Sequence, residues 1–188
     1  MSKLFVRAIQ IVRWLYNGFD NNSFQIEKTS SEAITIDMGS LGEELSVYLL
    51  KHNTEEEIEQ IAIKVFIDCL RNYENGVTLV VIPEDYITGC GYSAQKAIDE
   101  NPFGLEHYNI INVSTSKCIF DIADYIGKNR LSNKDYYFDY SPEDLFYLFY
   151  KHRILLKKYD KFKNLKRKLK NRFSNIKHQE MLDEIFEC

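Results

Sequence analysis

Several features that would assign a function class directly are scarce in this chain. Only three Pro and eight Gly occur among 188 residues, which excludes a collagen-like or Pro- and Gly-rich disordered protein. The four Cys show no CxxC spacing, so they predict reduced thiols of an intracellular protein, not a disulfide framework or a zinc site. No solenoid-type repeat is visible, and no carboxylate pair has the companion ligands of a metal site. We therefore expect no cofactor and no metal.

Signals for a membrane or a secretory route are also missing from the sequence pattern. Arg7 and Arg13 interrupt the apolar stretch from Leu4 to Tyr16, and no small-residue cleavage site follows it. This stretch predicts neither a signal peptide nor a membrane span. The expected location is the cytoplasm, without membrane association.

Hydrophobic side chains, by contrast, are plentiful. They make up 45% of the chain, and 14% of all residues are aromatic, which is enough for one substantial core. Apolar spacing predicts helices over residues 4–16, 43–52, 54–73, 93–101 and 117–126, and strands over 24–28, 33–38, 77–82 and 108–113. The strands at 24–28 and 33–38 fit a hairpin, or one edge strand and one core strand. Alternating strands and helices predict an α/β fold with a small, mainly parallel sheet of three or four strands flanked by helices.

A strong helix start precedes the C-terminal part of the chain. Ser141 suits an N-cap, Pro142 suits the first helical position, and Glu143 and Asp144 suit the positive end of a helix dipole. With no Gly or Pro after Leu145, a helix from Pro142 to Phe173 would be about 48 Å long. The sequence thus predicts two units: an α/β body over residues 1–140 and a long basic helical arm or hairpin over 141–188.

Charge is distributed unevenly between these two parts. Between Lys151 and Arg172 there are eleven Lys or Arg and one acidic residue, Asp160, whereas the rest of the chain has 13 basic and 27 acidic residues. The net charges of +10 and −14 describe an acidic body with a basic segment, which suits nucleic acid or an acidic partner, although a solvated helix face has the same composition. The candidate binding residues of this basic segment are Lys157, Lys158, Lys161, Lys166, Arg167, Lys168, Lys170 and Arg172.

Three loops follow predicted strands and open predicted helices. In a parallel sheet such loops share one edge, where amides and helix N-termini attract phosphate groups. The sequence therefore predicts an anion or nucleotide site, although small residues are also needed in tight turns and no full nucleotide motif is present. Its candidate residues are Gly39, Ser40, Gly42, Gly89, Gly91, Ser93, Ser114, Ser116 and Lys117.

Two short stretches resemble known enzyme motifs. Residues Gly91 to Gln95 resemble in part the GxSxG nucleophile elbow of α/β-hydrolases, with Gln95 in place of the last glycine, which implies Ser93 as a nucleophile. The base would come from His107, His152 or His178. The segment from Arg172 to His178 is similar to the short Arg–His motif of HEPN ribonucleases, whose all-helical fold disagrees with the predicted strands.

Aromatic residues crowd the approach to the basic segment. They are Tyr136, Tyr137, Phe138, Tyr140, Phe146, Tyr147, Phe149 and Tyr150. They precede the cations and do not interleave with them, so they predict contacts that fasten the arm to the α/β body, with a protein interface as the alternative, over a single-strand nucleic-acid platform.

The sequence shows no complete catalytic motif, and its charges are separated between two parts. Both features favour a non-catalytic cytoplasmic interaction or regulatory module. Such a module scaffolds or neutralises another protein or associates with itself through the long helix. A nucleic-acid-binding protein that uses the basic helix is one alternative. The second is a nucleotide-binding or serine-hydrolase-like α/β enzyme.

Overall fold

The computed structural model describes residues 2–9, 44–68, 76–98, 102–113, 121–122, 124–125, 128–129, 134–159, 165, 169 and 176–187. Within these ranges there are six strands: β1 (Leu4–Ile9), β2 (Glu44–Leu50), β3 (Val77–Pro83), β4 (Ser93–Lys96), β5 (Glu106–Ile111) and β6 (Tyr137–Tyr140). The same ranges contain five helices: α1 (Glu55–Asp68), α2 (Glu84–Gly89), α3 (Pro142–Lys151), α4 (Arg153–Leu156) and α5 (Ile176–Glu187).

The six strands form one sheet in the order β4-β5-β2-β1-β3-β6. Every neighbouring pair is antiparallel. The prediction of a small, mainly parallel sheet of three or four strands is therefore wrong. It assumed that consecutive strands with a helix between them are sheet neighbours, whereas β1 and β2 both lie between β3 and β5.

Both faces of the sheet are covered. On one side α1 packs on β1, β2 and β3, and α3 packs on α1 and α5. We call this side the helical face; its strands contribute Val6, Ala8, Tyr48, Leu50, Leu79 and Val81 to the core. On the other side Phe5, Leu45, Val47, Val80, Ile82 and Ile110 pack with Ile87 of α2, Tyr92 and Ile122. We call this side the tyrosine face, because Tyr86, Tyr108, Tyr125 and Tyr137 pack against its core.

Three predicted helices are strands in the structure. Residues 4–9 of the first form β1, residues 44–50 of the second form β2, and residues 93–96 of the third form β4. In β1, Phe5 lies on the tyrosine face and Val6 on the helical face, and both are fully buried. A strand that is buried on both faces has no alternating pattern, so its apolar run was interpreted as a helix.

The predicted uninterrupted long helix is also wrong. Helix α3 ends at Lys151, and His152 has φ −98° and ψ 13° before the short α4 begins at Arg153. Leu156, Tyr159, Leu165, Leu169, Leu182 and Ile185 are buried in the same core as α1. The division into residues 1–140 and 141–188 stays a prediction, but described side chains on both sides of that boundary share one core.

Other local predictions are confirmed. The helix predicted over 54–73 corresponds to α1, and the strands predicted over 77–82 and 108–113 correspond to β3 and most of β5. Gly76, which precedes β3, has φ +112°, and a Cβ added there would collide with the Tyr140 carbonyl oxygen. Only glycine fits this close approach. The predicted strands at 24–28 and 33–38 lie outside the described residues.

Candidate interaction surface

Helix α3 begins with the cap that the sequence predicts. The Ser141 hydroxyl accepts a hydrogen bond from the Asp144 amide at 3.1 Å, and the Asp144 carboxylate accepts one from the Ser141 amide at 2.8 Å. This reciprocal capping box satisfies amides that have no partner within the first turn of the helix. It therefore fixes where α3 starts.

One face of α3 is buried in the core. Leu145, Phe146, Leu148 and Phe149 are buried, and the Phe149 ring lies 5.5 Å from the Phe66 ring of α1. Burial of a side chain of this kind contributes roughly 1.5–3 kcal/mol. The core therefore sets the rotation of α3 and directs Tyr147 towards solvent.

Glu59 of α1 contacts the junction of α3 and α4 from the core side. Its carboxylate accepts hydrogen bonds from the Lys151 ammonium group at 2.9 and 2.6 Å, and it lies 3.2 Å from Nε2 of His152. Glu59 and His152 are buried, and the edge of the His152 ring meets the Phe103 ring at 5.9 Å. The hydrogen bond with Glu59 raises the pKa of Lys151. This contact fixes the direction in which the chain leaves α3.

On both sides of this junction the helix surface exposes large apolar side chains. Ile154 is 69% exposed, Tyr147 is 47% exposed and Leu155 is 37% exposed. Tyr147 lies on α3, whereas Ile154 and Leu155 lie on α4, after the break at His152. We define the interaction surface as Tyr147, Tyr150, Arg153, Ile154, Leu155 and Lys158.

Tyr150 and Arg153 form an ordered unit within this surface. The Arg153 guanidinium lies 4.3 Å above the centre of the Tyr150 ring, and its Nη1 donates a hydrogen bond to the Tyr150 carbonyl at 2.8 Å. The Tyr150 hydroxyl donates to Glu184 of α5 at 2.9 Å. Because these contacts hold both side chains in place, a partner would find them already ordered.

The chain after α4 is tied back to α1 by an ion pair whose lysine is buried. Lys64 is 0% exposed and pairs with Asp68 one turn along α1. The Tyr159 hydroxyl donates a hydrogen bond to Asp68 at 3.1 Å, and the Lys64 ammonium group lies 6.0 Å from the centre of the Tyr159 ring. These contacts therefore hold Tyr159, which lies within the basic segment, against α1.

Two of the predicted binding cations belong to the described chain. Lys158 is exposed and Lys157 is half-buried in the turn after α4. The other six, Lys161, Lys166, Arg167, Lys168, Lys170 and Arg172, lie outside the described residues. Sequence analysis named Tyr147 among the aromatic residues but did not single out Arg153 or Ile154, although an Ile-Leu-Leu run among cations was a visible signal.

Of the three predicted anion loops, only the one with Gly89, Gly91 and Ser93 belongs to the described residues. Gly89 ends α2, Gly91 has φ +85° in the following turn, and Ser93 opens β4. The amides of Cys90, Gly91 and Tyr92 bond to carbonyl groups of residues 86–88, so they are not available as anion donors. The remaining candidates, Gly39, Ser40, Gly42, Ser114, Ser116 and Lys117, lie outside the described residues.

The nucleophile-elbow resemblance lacks its structural context. An elbow needs a strand, a sharp turn and a helix, whereas Ser93 follows a helix and begins a strand. Its main-chain partner on β5 is Ile111. The Arg–His stretch shows only its last residues, because 170–175 lie outside the described chain.

The described residues contain no group of three or more His, Cys, Asp or Glu side chains that could hold a metal ion. Among the same residues, no helix is both long and apolar enough to cross a bilayer.

Comparison with known proteins leaves the surface to be interpreted from its own chemistry. No protein-family model, curated protein or solved structure matches this chain.

Proposed function

We propose that this protein is an interaction module that binds an acidic segment of a partner protein through the interaction surface. The observation that supports this proposal is the 69% exposure of Ile154 between Arg153 and the lysines at 157 and 158. Exposed aliphatic and aromatic side chains next to an ordered Tyr–Arg pair are typical of binding hot spots.

Charge supports an acidic protein as the occupant. The segment from Lys151 to Arg172 has a net charge of +10, so a complementary partner has carboxylates around an apolar centre. The cations would attract nucleic acid, but the aliphatic side chains of Ile154 and Leu155 cannot bind a phosphate backbone. The arrangement therefore favours an acidic, apolar protein segment over DNA or RNA.

A pull-down with matched variants tests the proposal. The tagged full chain and its Ile154→Ala/Leu155→Ala variant are compared in host extract treated with nuclease, and each captured protein is then purified alone. We expect calorimetry to show binding to the wild type and binding at least tenfold weaker to the double variant, because each hot-spot truncation costs more than about 1 kcal/mol. Ile98→Ala is the control, since this fully exposed side chain lies outside the surface.

Other occupants give distinct results. Capture that disappears with nuclease, together with affinity for a nucleic-acid probe that falls steeply with salt, would assign the surface to nucleic acid. A dimer in light scattering that the double variant dissociates would assign it to a second copy of the chain. A monomer that retains every partner in the double variant would contradict the proposal.

A further inference from the structure

The sheet opens between β1 and β2 next to Ser46. Their pairing extends from Leu4 opposite Leu50 to Val6 opposite Tyr48, although β1 continues to Ile9 and β2 begins at Glu44. The buried Arg7 side chain enters this opening, and its Nη1 donates a hydrogen bond to the Ser46 carbonyl oxygen at 2.6 Å. The backbone of Ser46 is thus held next to a buried cation.

On its other side β2 pairs with β5 from Glu44 to Leu49, and this pairing positions a histidine. Tyr48 is opposite His107, and Ser46 is opposite Asn109. The Ser46 hydroxyl oxygen lies 2.6 Å from Nε2 of His107, and the His107 ring lies 5.3 Å from the Tyr48 ring. The Ser46 side chain is exposed, so a molecule in solution can reach the hydroxyl.

We propose that Ser46 and His107 form a nucleophile–base pair that transfers an acyl group from an ester. A serine within hydrogen-bond distance of an imidazole nitrogen is the arrangement that nucleophilic catalysis requires. When Ser46 donates this hydrogen bond, Nε2 is the acceptor, so it is poised to take the hydroxyl proton. Arg7 lies between Val6 and Ala8 of the helical face, so its side chain is on the opposite face of the sheet from the hydroxyl, and it holds only the Ser46 backbone.

The reaction balances without any additional reagent. The Ser46 oxygen bonds to the ester carbonyl carbon while its proton passes to Nε2 of His107. The carbon–alkoxide bond then breaks, and the leaving alkoxide takes that proton. Water, deprotonated by the same nitrogen, attacks the acylated serine and releases the acid and the free hydroxyl.

This inference is independent of the interaction surface, because none of its residues belongs to that surface. It adds a catalytic activity to a chain that the sequence predicts to be non-catalytic. That expectation depended on contiguous motifs, and Ser46 and His107 are 61 positions apart in the sequence.

A fluorophosphonate probe and p-nitrophenyl acetate test the pair in the full chain. We expect the probe to label wild-type protein at Ser46, as located by peptide mass spectrometry, and Ser46→Ala to lose both label and ester turnover. His107→Gln should slow labelling by about 100-fold or more, which is the usual contribution of a general base. Ser93→Ala, at an exposed serine of the neighbouring edge strand, should label at the wild-type rate.

Circular dichroism verifies that each variant is folded, and the labelling site in the wild type remains informative if a variant is not. A wild-type protein that is not labelled at Ser46 would overturn the proposal. So would labelling of folded His107→Gln at the wild-type rate.

Discussion

The two faces of the sheet are closed by different chemistry. On the helical face the polar groups that meet the core are charged: Lys64 with Asp68, and Glu59 with Lys151 and His152. On the tyrosine face they are phenols: the Tyr86 hydroxyl donates to the Asp121 carbonyl at 2.6 Å, and the Tyr92 hydroxyl donates to the Asp121 carboxylate at 3.2 Å. Burial raises the pKa of Tyr125 to about 12.

This difference predicts how each face responds to damage. A buried charge that loses its partner has an uncompensated desolvation cost, whereas a phenol that loses its hydroxyl leaves one neutral group unsatisfied. The charged contacts also lie under the α3–α4 junction. The helical face should therefore be the more sensitive one, and it alone should affect the interaction surface.

The largest effect is expected at the Lys64–Asp68 pair. Asp68→Asn leaves the fully buried Lys64 without its carboxylate, and it should lower the free energy of unfolding by about 3–5 kcal/mol in urea denaturation. The double variant Lys64→Met/Asp68→Asn removes both charges and should recover most of that loss. A single variant as stable as the wild type would show that the pair does not stabilise this face.

Glu59→Gln should have the next largest effect. The variant keeps a hydrogen-bond acceptor near His152 but loses the charge that faces Lys151, so we expect a loss of about 2 kcal/mol. Lys151→Ala is the matched control: its ammonium group is solvated, and the change should cost under about 1 kcal/mol. Equal losses in the two variants would contradict the role given to the buried carboxylate.

Tyr86→Phe measures the effect of losing a hydroxyl on the tyrosine face. It removes one hydrogen bond to a backbone carbonyl and should cost about 1 kcal/mol. Binding of the protein partner should not change, because Tyr86 lies on the side of the sheet opposite α3. If Tyr86→Phe lowers the free energy of unfolding more than Glu59→Gln does, the helical face is not the more sensitive one.

The smallest effect concerns an exposed ion pair at the sheet edge. Hydrogen bonds from Lys51 and Lys96 lower the pKa of Glu106 from 4.5 to about 2. A carboxyl whose folded pKa is lowered stabilises the protein above its unfolded pKa, and this contribution is lost as pH falls from 4.5 towards 2. In Glu106→Gln the melting temperature should fall less over that range, and an unchanged pH profile would contradict this assignment.

How far the sequence predicts this fold depends on whether the signal is local. The Ser141 cap, the acidic start of α1 and the β-branched run of β3 are each set by neighbouring residues, and each was predicted. The short β4 has too few residues for a pattern, and β2 was interpreted as a helix. With β1, β2, β4 and β6 missed, no reasoning from the sequence alone could place β1 between β2 and β3.

The candidate sites follow the same rule. Lys157 and Lys158 are visible in the charge pattern, whereas the exposure of Ile154 depends on which residues α3 buries. The contact between Ser46 and His107 depends on the pairing of β2 with β5, so local sequence could not reveal it. Reasoning from motifs chose Ser93, which the structure places at the start of an edge strand.

Site-specific photo-cross-linking tests the central claim of a protein partner at the interaction surface most directly. A photoreactive phenylalanine replaces Ile154 in one variant and Ile98 in another, and both are irradiated in the native host. We predict a nuclease-resistant cross-link to one acidic protein from position 154 and none from position 98. Cross-links that are absent at 154, equal at both positions, or lost with nuclease would contradict the proposed function.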